Sequence, residues 1–115
     1  MQIVISDFGS SKKADADAKS NATKTVTATS PNWLSPEMAK RNGTTLFNAA
    51  CDVYSFGCIM YEVLTREIPW GPEEFDAFTI SSKLNAEPKP QRPTLEKVTM
   101  DAAAEPLKHL MVKCW

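Results

Sequence analysis

The sequence has few histidines and cysteines and no long apolar run. Its 115 residues contain one histidine, His109, and three cysteines, none of them in a Cys-x-x-Cys pair: Cys51, Cys58 and Cys114. A structural zinc site needs about four well-spaced ligands, so we expect reduced cysteines that are buried as small apolar side chains. No apolar stretch approaches the roughly 18 residues that span a membrane.

Charge of one sign is also lacking. Lys and Arg number 13 and Asp and Glu 14, for a net charge of −1, which gives no electrostatic reason to bind nucleic acid or an anionic membrane. Hydrophobic residues make up 43% of the chain, too many for wholesale disorder. The short apolar run after Met1 has no basic leader, so we expect no secretory leader and a cytoplasmic location.

The first third of the chain alternates between short apolar runs and one long polar segment. Residues 2–6 contain three consecutive β-branched residues and predict a short strand that leads into Asp7-Phe8-Gly9. Residues 10–30 are rich in Ser, Thr, Lys, Ala and Asp and predict a long loop, which in a compact domain is usually functional or disordered.

A short helix is predicted after this loop. Ser35-Pro36-Glu37 places a hydroxyl at the N-cap, proline at the first helical position and an acid in the first turn. Asn42-Gly43 predicts its end.

The strongest helical segment runs from Asp52 to about Leu64 and leaves almost no polar face. A helix that is apolar all round belongs in the middle of a protein. A further helix is predicted from Glu73, with the apolar side chains of Phe75, Phe78 and Leu84 toward a core.

The last part of the chain contains a connector and a helix. Residues 88–93 hold three prolines and predict an extended connector. A last helix is predicted from about Pro106, with apolar residues at helical spacing: Leu107, Leu110, Met111 and Cys114.

Several motifs stand in an order typical of one family. Asp7-Phe8-Gly9 follows a predicted strand, Ser35-Pro36-Glu37 follows the long loop, residues 52–57 (Asp-Val-Tyr-Ser-Phe-Gly) open the apolar helix, and Cys114-Trp115 ends the chain. In this order the chain resembles the C-terminal lobe of a eukaryotic protein kinase domain, most closely the tyrosine-kinase-like Ser/Thr group.

The resemblance implies a mainly α, partial kinase lobe arranged around the apolar helix. Residues 1–9 would form the strand and the Asp-Phe-Gly motif, residues 10–34 the activation segment, and residues 35–115 the helical part. ATP, Mg²⁺ and a protein substrate would be the ligands of the intact family domain.

The Asp-Phe-Gly motif would bind the cofactor. By resemblance, Asp7 holds the Mg²⁺ that bridges the ATP phosphates, a task that suits a carboxylate because Mg²⁺ prefers oxygen ligands. Phe8 would set active and inactive states by its packing, and Gly9 would supply backbone freedom. The alternative interpretation is that Asp7 is only a turn or cap residue.

The activation segment would carry regulation and docking. Thr25, Thr27 and Thr29 alternate near the positions of the family's activating phosphosites, where a phosphate would add about −1.5 to −2 charges. The alternative is a solvated, threonine-rich linker. No tyrosine lies between Ser10 and Ser35. Ser30 stands where the family more often has threonine, and it would dock the substrate together with Trp33.

Two acidic residues would have structural roles. Glu37 would pair with an arginine beyond Cys114-Trp115, and a buried glutamate without that partner is costly. Asp52 would bind the backbone of the catalytic loop, with a simple helix N-cap as the alternative and compatible role.

Other parts of the family's machinery are not found in these residues. They contain no Gly-x-Gly-x-x-Gly and no His-Arg-Asp, which carry the nucleotide cradle and the catalytic aspartate. Three interpretations follow: a piece of an active kinase, a non-catalytic pseudokinase-like interaction module, or an unrelated small α-rich fold. We expect no phosphotransfer and marginal stability or aggregation from the 115 residues alone.

Overall fold

All regular structure that the computed structural model describes is helical. It describes residues 2–11, 30–39, 48–71, 76–88, 90–98 and 104–115. Four α-helices lie in these ranges: α1 (Pro36–Ala39), α2 (Ala49–Thr65), α3 (Ala77–Leu84) and α4 (Glu105–Cys114). Two short 3-10 turns, Phe8–Ser10 and Pro31–Trp33, accompany them. The predicted mainly α class is confirmed, and no described helix is both long and apolar enough to cross a membrane.

The strand predicted at residues 2–6 is not formed. This segment has no regular structure, and the side chains of Ile3, Val4 and Ile5 are exposed. A strand is held by hydrogen bonds to a neighbouring strand, and no segment within the described ranges supplies one. The β-branched residues therefore favour a strand, but this segment has no neighbouring strand with which to form hydrogen bonds within the described ranges.

The start of α2 lies earlier than predicted, at residue 49 instead of 52. Asn48 has an extended backbone, and its side-chain oxygen accepts hydrogen bonds from the N–H groups of Ala50 and Cys51 at 2.9 and 3.2 Å. Asn48 is therefore the N-cap. The alternative role of Asp52 as the N-cap is wrong, because Asp52 lies inside the first turn.

Only one face of α2 is covered by the described elements. Tyr54, Cys58 and Tyr61 are buried, at i, i+4 and i+7, and they face the other helices. The opposite face is apolar and exposed, so the prediction of a helix surrounded on every side holds for half of its circumference. This exposed face consists of Val53, Phe56, Ile59 and Val63.

Two apolar clusters flank the buried face of α2. One joins α2 to α1, α3 and residue 34 through Leu34, Ile80 and Leu84, and the other joins α2 to α4 through Met111. The ring of Trp115 packs against both clusters. Leu34 and Tyr54 lie 20 residues apart in sequence, and Tyr61 and Met111 lie 50 apart, so the core is built from long-range packing.

The third and fourth helices follow the prediction in part. α3 begins after Asp76, which caps it by accepting from the Thr79 N–H at 2.8 Å. Leu84 is buried as predicted, but the prediction for Phe78 is wrong, because its side chain is 61% exposed. The predicted positions of Phe75 and of Asn42-Gly43 fall outside the described residues.

The last helix buries one of the apolar residues predicted to share a face. In α4 the side chain of Met111 is fully buried, while Leu107 and Leu110 are about half exposed. Cys114 is partly buried and lies close to α2. The helix therefore packs through a narrow stripe near its C-terminal end.

The closest approach between α2 and α4 occurs at Gly57. A Cβ atom at this position would lie 2.8 Å from the Cβ of Cys114 and 2.8 Å from Nε1 of Trp115. Such distances are shorter than van der Waals contact. The absence of a side chain at Gly57 thus allows the end of α4 to pack against α2.

Candidate functional site

The Asp-Phe-Gly motif forms an exposed corner at the start of the first 3-10 turn. Asp7 has φ 63° and ψ 62°, in the left-handed region. For a residue other than glycine this conformation costs about 1–2 kcal/mol, and such strain is often found at functional sites. Asp7 and its neighbours are exposed, and the side chain of Phe8 is 66% accessible.

The carboxylate of Asp7 makes no capping hydrogen bond to the turn that it precedes. Its Oδ1 atom would lie 3.6 Å from a Cβ placed on Gly9, an ordinary contact. In this conformation neither space nor a positive φ requires glycine at position 9. The predicted part of Gly9 in a conformational change stays a prediction.

The donor set at this corner fits Mg²⁺ in part. An exposed aspartate is a suitable oxygen ligand, and Mg²⁺ commonly takes one or two protein carboxylates and completes its shell with water and phosphate oxygens. No group of three potential metal-binding side chains occurs among the described residues. The described residues at this corner thus offer a single ligand, Asp7.

The predicted docking residues lie in a second region, at the start of α2. We define residues 30–34 as the docking segment. It contains the 3-10 turn of Pro31–Trp33, in which the Leu34 N–H donates to the carbonyl of Pro31 at 3.1 Å. Proline at the first position fixes the backbone angle that such a turn requires.

Two long-range hydrogen bonds attach the docking segment to the rest of the fold. The hydroxyl of Ser55, on α2, lies 2.9 Å from the carbonyl oxygen of Trp33. The buried side-chain amide of Asn32 donates to the carbonyl of Pro69 at 2.8 Å. The segment is therefore held at both α2 and the turn that follows it.

Ser30 and Trp33 meet at a shallow pocket of about 200 Å³. Its lining is mostly apolar, with hydroxyl groups from two serines. The lining residues are Ser30, Trp33, Leu34, Met38 and Ser55. This arrangement can accept an apolar side chain of a partner and offers hydroxyl groups for hydrogen bonding.

The helix that follows the docking segment begins as predicted. The Oγ atom of Ser35 accepts from the N–H of Met38 at 3.4 Å, and Ser35 is fully buried. Glu37, in the first turn of α1, is exposed. The expected cost of a buried unpaired glutamate thus does not arise here, because no described element covers Glu37.

The remaining predicted residues lie away from the Asp7 corner and the docking segment, or they fall outside the residues that the structure describes. Asp52 is exposed on the first turn of α2, and its binding to a catalytic loop stays a prediction. Thr25, Thr27 and Thr29 lie outside the described residues, so their regulatory role is also untested.

Sequence reasoning missed two polar residues that hold the docking segment and a third, Arg92, that lies beside α2. Asn32 and Ser55 hold the docking segment. The guanidinium of Arg92 lies 5.5 Å from the ring centre of Tyr54. Two of its nitrogens donate to the Trp115 carbonyl at 3.1 and 3.3 Å. The one sequence signal was Ser55 itself, a hydroxyl residue within a nearly all-apolar helix. The contacts of Asn32 and Arg92 depend on segments distant in sequence.

Burial affects the titration of two groups that pack near the docking segment, Cys58 and Tyr54. Burial raises the pKa of the Cys58 thiol to about 12. Burial, followed by the nearby Cys58, also raises the pKa of the Tyr54 hydroxyl. Both groups stay protonated at neutral pH and contribute packing. Binding at the docking segment therefore depends on its exposed residues.

A comparison with protein families gives one match along the whole chain. The model of the protein kinase domain matches residues 1–115. This match covers both regions described above, the corner at Asp7 and the docking segment on α2.

Individual relatives are protein kinases that are much longer than this chain. Dual specificity protein kinase shkD of Dictyostelium discoideum is 31% identical over 117 residues, which cover 100% of this chain and 14% of the relative. Mitogen-activated protein kinase kinase kinase 3 of Mus musculus is 34% identical over 94 residues, 80% of this chain and 14% of the relative. Mitogen-activated protein kinase kinase kinase mlk-1 of Caenorhabditis elegans is 41% identical over 70 residues, which cover 61% of this chain and 6% of the relative. The chain thus spans about a seventh or less of these proteins.

Proposed function

The chain belongs to the protein kinase domain family, and from that premise we propose that it serves the transfer of the ATP γ-phosphate to serine or threonine hydroxyls of a protein substrate. Its residues would contribute one metal-binding carboxylate, the activation segment and the substrate-docking surface of such a domain. The observation that carries this proposal is the exposed, left-handed Asp7 directly before Phe8-Gly9.

Asp7 would hold Mg²⁺ at the exposed corner. When bound, the ion neutralises charge on the phosphates of ATP during transfer. The carboxylate has no capping hydrogen bond in its own turn, so its oxygens remain available to a cation. The strain of the left-handed backbone is consistent with a residue kept for function instead of stability.

The docking segment would bind the protein substrate. Its pocket of about 200 Å³ combines the apolar surfaces of Trp33, Leu34 and Met38 with hydroxyl groups. An apolar side chain beside the acceptor hydroxyl of the substrate would fill this space. Binding away from the reacting atoms positions the acceptor, which is a large part of catalysis in phosphoryl transfer.

Specificity and regulation follow from the activation segment. Serine at position 30 and the lack of tyrosine between residues 10 and 35 favour a Ser/Thr kinase that is not activated by a loop phosphotyrosine. Phosphorylation of Thr25, Thr27 or Thr29 would add about −1.5 to −2 charges to this segment and would create new charged hydrogen bonds to arginine side chains.

A second function is favoured by the exposed face of α2. Four apolar side chains on one helix face, 47–71% exposed, form the kind of surface that binds other proteins. A non-catalytic interaction module would use this face, and it would not require Asp7.

The test is a chimera in which residues 1–115 replace the matching segment of shkD, called the shkD chimera below. We expect phosphate transfer from labelled ATP to serine and threonine of a protein acceptor. Asp7→Asn, which keeps the shape of the side chain, should lower the rate by a factor on the order of 100 or more. A chimera that folds and binds ATP yet transfers no more phosphate than its Asp7→Asn variant would favour the interaction module.

A further inference from the structure

We infer that Ser55 is a positioning residue for substrate docking, because its hydroxyl holds the backbone of the docking segment against α2. This inference rests on the proposed function for its catalytic consequence, although the contact itself does not. The experiment below therefore has one arm that measures activity and one that does not.

The hydroxyl of Ser55 lies between two carbonyl oxygens. It is 2.9 Å from the oxygen of Trp33, 22 residues away, and 3.0 Å from the oxygen of Cys51, one turn back in α2. A hydroxyl group has one proton to donate, so the two acceptors share it. Serine in a helix commonly bonds only the carbonyl four residues earlier, and the contact to Trp33 is therefore the unusual one.

Ser55 also forms part of the pocket that we assign to the substrate. Its side chain lines this pocket together with Ser30 and Trp33. A change in the carbonyl position of Trp33 would move the ring of the same residue, which forms a wall of the pocket. The hydrogen bond thus couples the shape of the pocket to the rigid helix α2.

Asn32 and Ser55 hold different points of the docking segment. Asn32 fixes the middle of the 3-10 turn by donating to Pro69 at 2.8 Å. The N–H side of the peptide unit after Trp33 is held within the segment, because the Leu34 N–H donates to the Pro31 carbonyl at 3.1 Å. Its carbonyl oxygen is bonded from outside the segment. Ser55 is the side chain that the structure places to hold it.

Thr65 provides a matched control at the other end of α2. Its hydroxyl also bonds the carbonyl four residues back, that of Tyr61 at 2.8 Å, and a second carbonyl, that of Glu67 at 3.3 Å. Both acceptors are local, and Thr65 does not line the docking pocket. Loss of this hydroxyl tests helix structure without removing a hydrogen bond to the docking segment.

The activity arm uses the shkD chimera. We expect Ser55→Ala to raise KM for the peptide substrate about three- to tenfold, as the loss of one hydrogen bond implies, with KM for ATP and kcat changed less than about twofold. Ser55→Thr, which keeps the hydroxyl, should restore the peptide KM, and Thr65→Ala should leave it unchanged. An equal rise in the peptide KM for Ser55→Ala and Thr65→Ala would overturn the inference.

The second arm uses the 115-residue chain and hydrogen exchange of its backbone amides. Ser55→Ala should speed exchange at the amides of Trp33 and Leu34 about three- to tenfold, while Thr65→Ala should not. If Ser55→Ala fails to fold, Ser55→Cys keeps a weak donor of similar shape and should give a smaller change in the same direction.

The two arms separate the inference from the proposed function. If the unsubstituted shkD chimera folds but transfers no phosphate, the proposed function fails while the exchange result still decides whether Ser55 holds the segment. Unchanged exchange at Trp33 and Leu34 in a folded Ser55→Ala chain would contradict the positioning role even in an active chimera.

Discussion

The two faces of α2 have the same apolar character but different surroundings. On one face, Tyr61 is 2% exposed and Cys58 is fully buried. On the other face, Phe56 is 50% exposed and Val63 71%. The composition of a helix thus indicates how much apolar surface it offers, whereas the elements packed around it determine which part becomes a core.

This difference also separates stability from function in the chain. The buried face carries the contacts to α3 and α4 that hold the fold together. The docking segment is attached at the edge of that face through Ser55, and the exposed face remains available to other protein surfaces. Substitutions on the two faces should therefore have different effects.

The largest expected effect comes from a matched pair of aromatic residues. Tyr61→Ala on the buried face should lower the free energy of unfolding by about 3–5 kcal/mol, because it opens a cavity between α2 and α4. Phe56→Ala on the exposed face should lower it by less than about 1 kcal/mol. Urea unfolding of both variants measures this difference, and equal losses would show that both faces are packed.

The buried face should also make stability depend on alkaline pH. The pKa of Cys58 is raised to about 12 in the folded chain, so the folded state keeps its proton when the unfolded thiol, with a pKa near 8.5, has lost it. Stability is then complete below about pH 8.5 and falls by up to about 1.4 kcal/mol per pH unit as the pH rises toward 12.

Unfolding measured from pH 8 to 11 checks this dependence. Cys58→Ala should remove the part of the slope due to the thiol, while the slope due to Tyr54, whose pKa is raised in the same direction, should remain. A Cys58→Ala variant with the same slope as the unsubstituted chain would contradict a buried, protonated thiol.

The contact between α2 and α4 gives a smaller effect. Gly57→Ala places a Cβ 2.8 Å from the Cβ of Cys114, and such overpacking costs about 1–3 kcal/mol. Helix propensity alone would favour alanine by about 1 kcal/mol. Thermal unfolding decides between overpacking and helix propensity, and we expect a lowered melting temperature for Gly57→Ala. A raised melting temperature would mean that α2 and α4 do not approach this closely.

The smallest effect distinguishes two polar residues at the start of α2. Asn48→Ala removes the cap that bonds the Ala50 and Cys51 N–H groups and should cost about 1 kcal/mol. Asp52→Ala, one turn later and exposed, should cost less than about 0.5 kcal/mol. A larger loss for Asp52→Ala would reassign the start of the helix.

Local patterns predicted much of the fold. The capping signal at Ser35-Pro36 and the apolar run from Asp52 to Leu64 identified α1 and α2, because caps and helical periodicity depend on neighbouring residues. Burial of Leu84 followed from the same periodicity. The order of the motifs also indicated the kinase family, which the match along residues 1–115 confirms.

The features that sequence could not predict depend on distant partners. The strand at residues 2–6 requires a pairing strand, and the exposure of Phe78 depends on which elements cover α3. The attachment of the docking segment by Ser55 and Asn32 joins residues 22 and 37 positions apart. Such contacts are determined by packing, which single-sequence patterns do not encode.

The most direct measurement is the rate of phosphate transfer from labelled ATP by the 115-residue chain and by the shkD chimera, side by side. We expect no transfer by the chain alone, because its residues contain no Gly-x-Gly-x-x-Gly or His-Arg-Asp motif. We expect transfer by the chimera, and Asp7→Asn should lower its rate by a factor on the order of 100 or more. A folded, ATP-binding chimera without transfer, or a rate that Asp7→Asn leaves unchanged, would contradict a role of this chain in phosphotransfer.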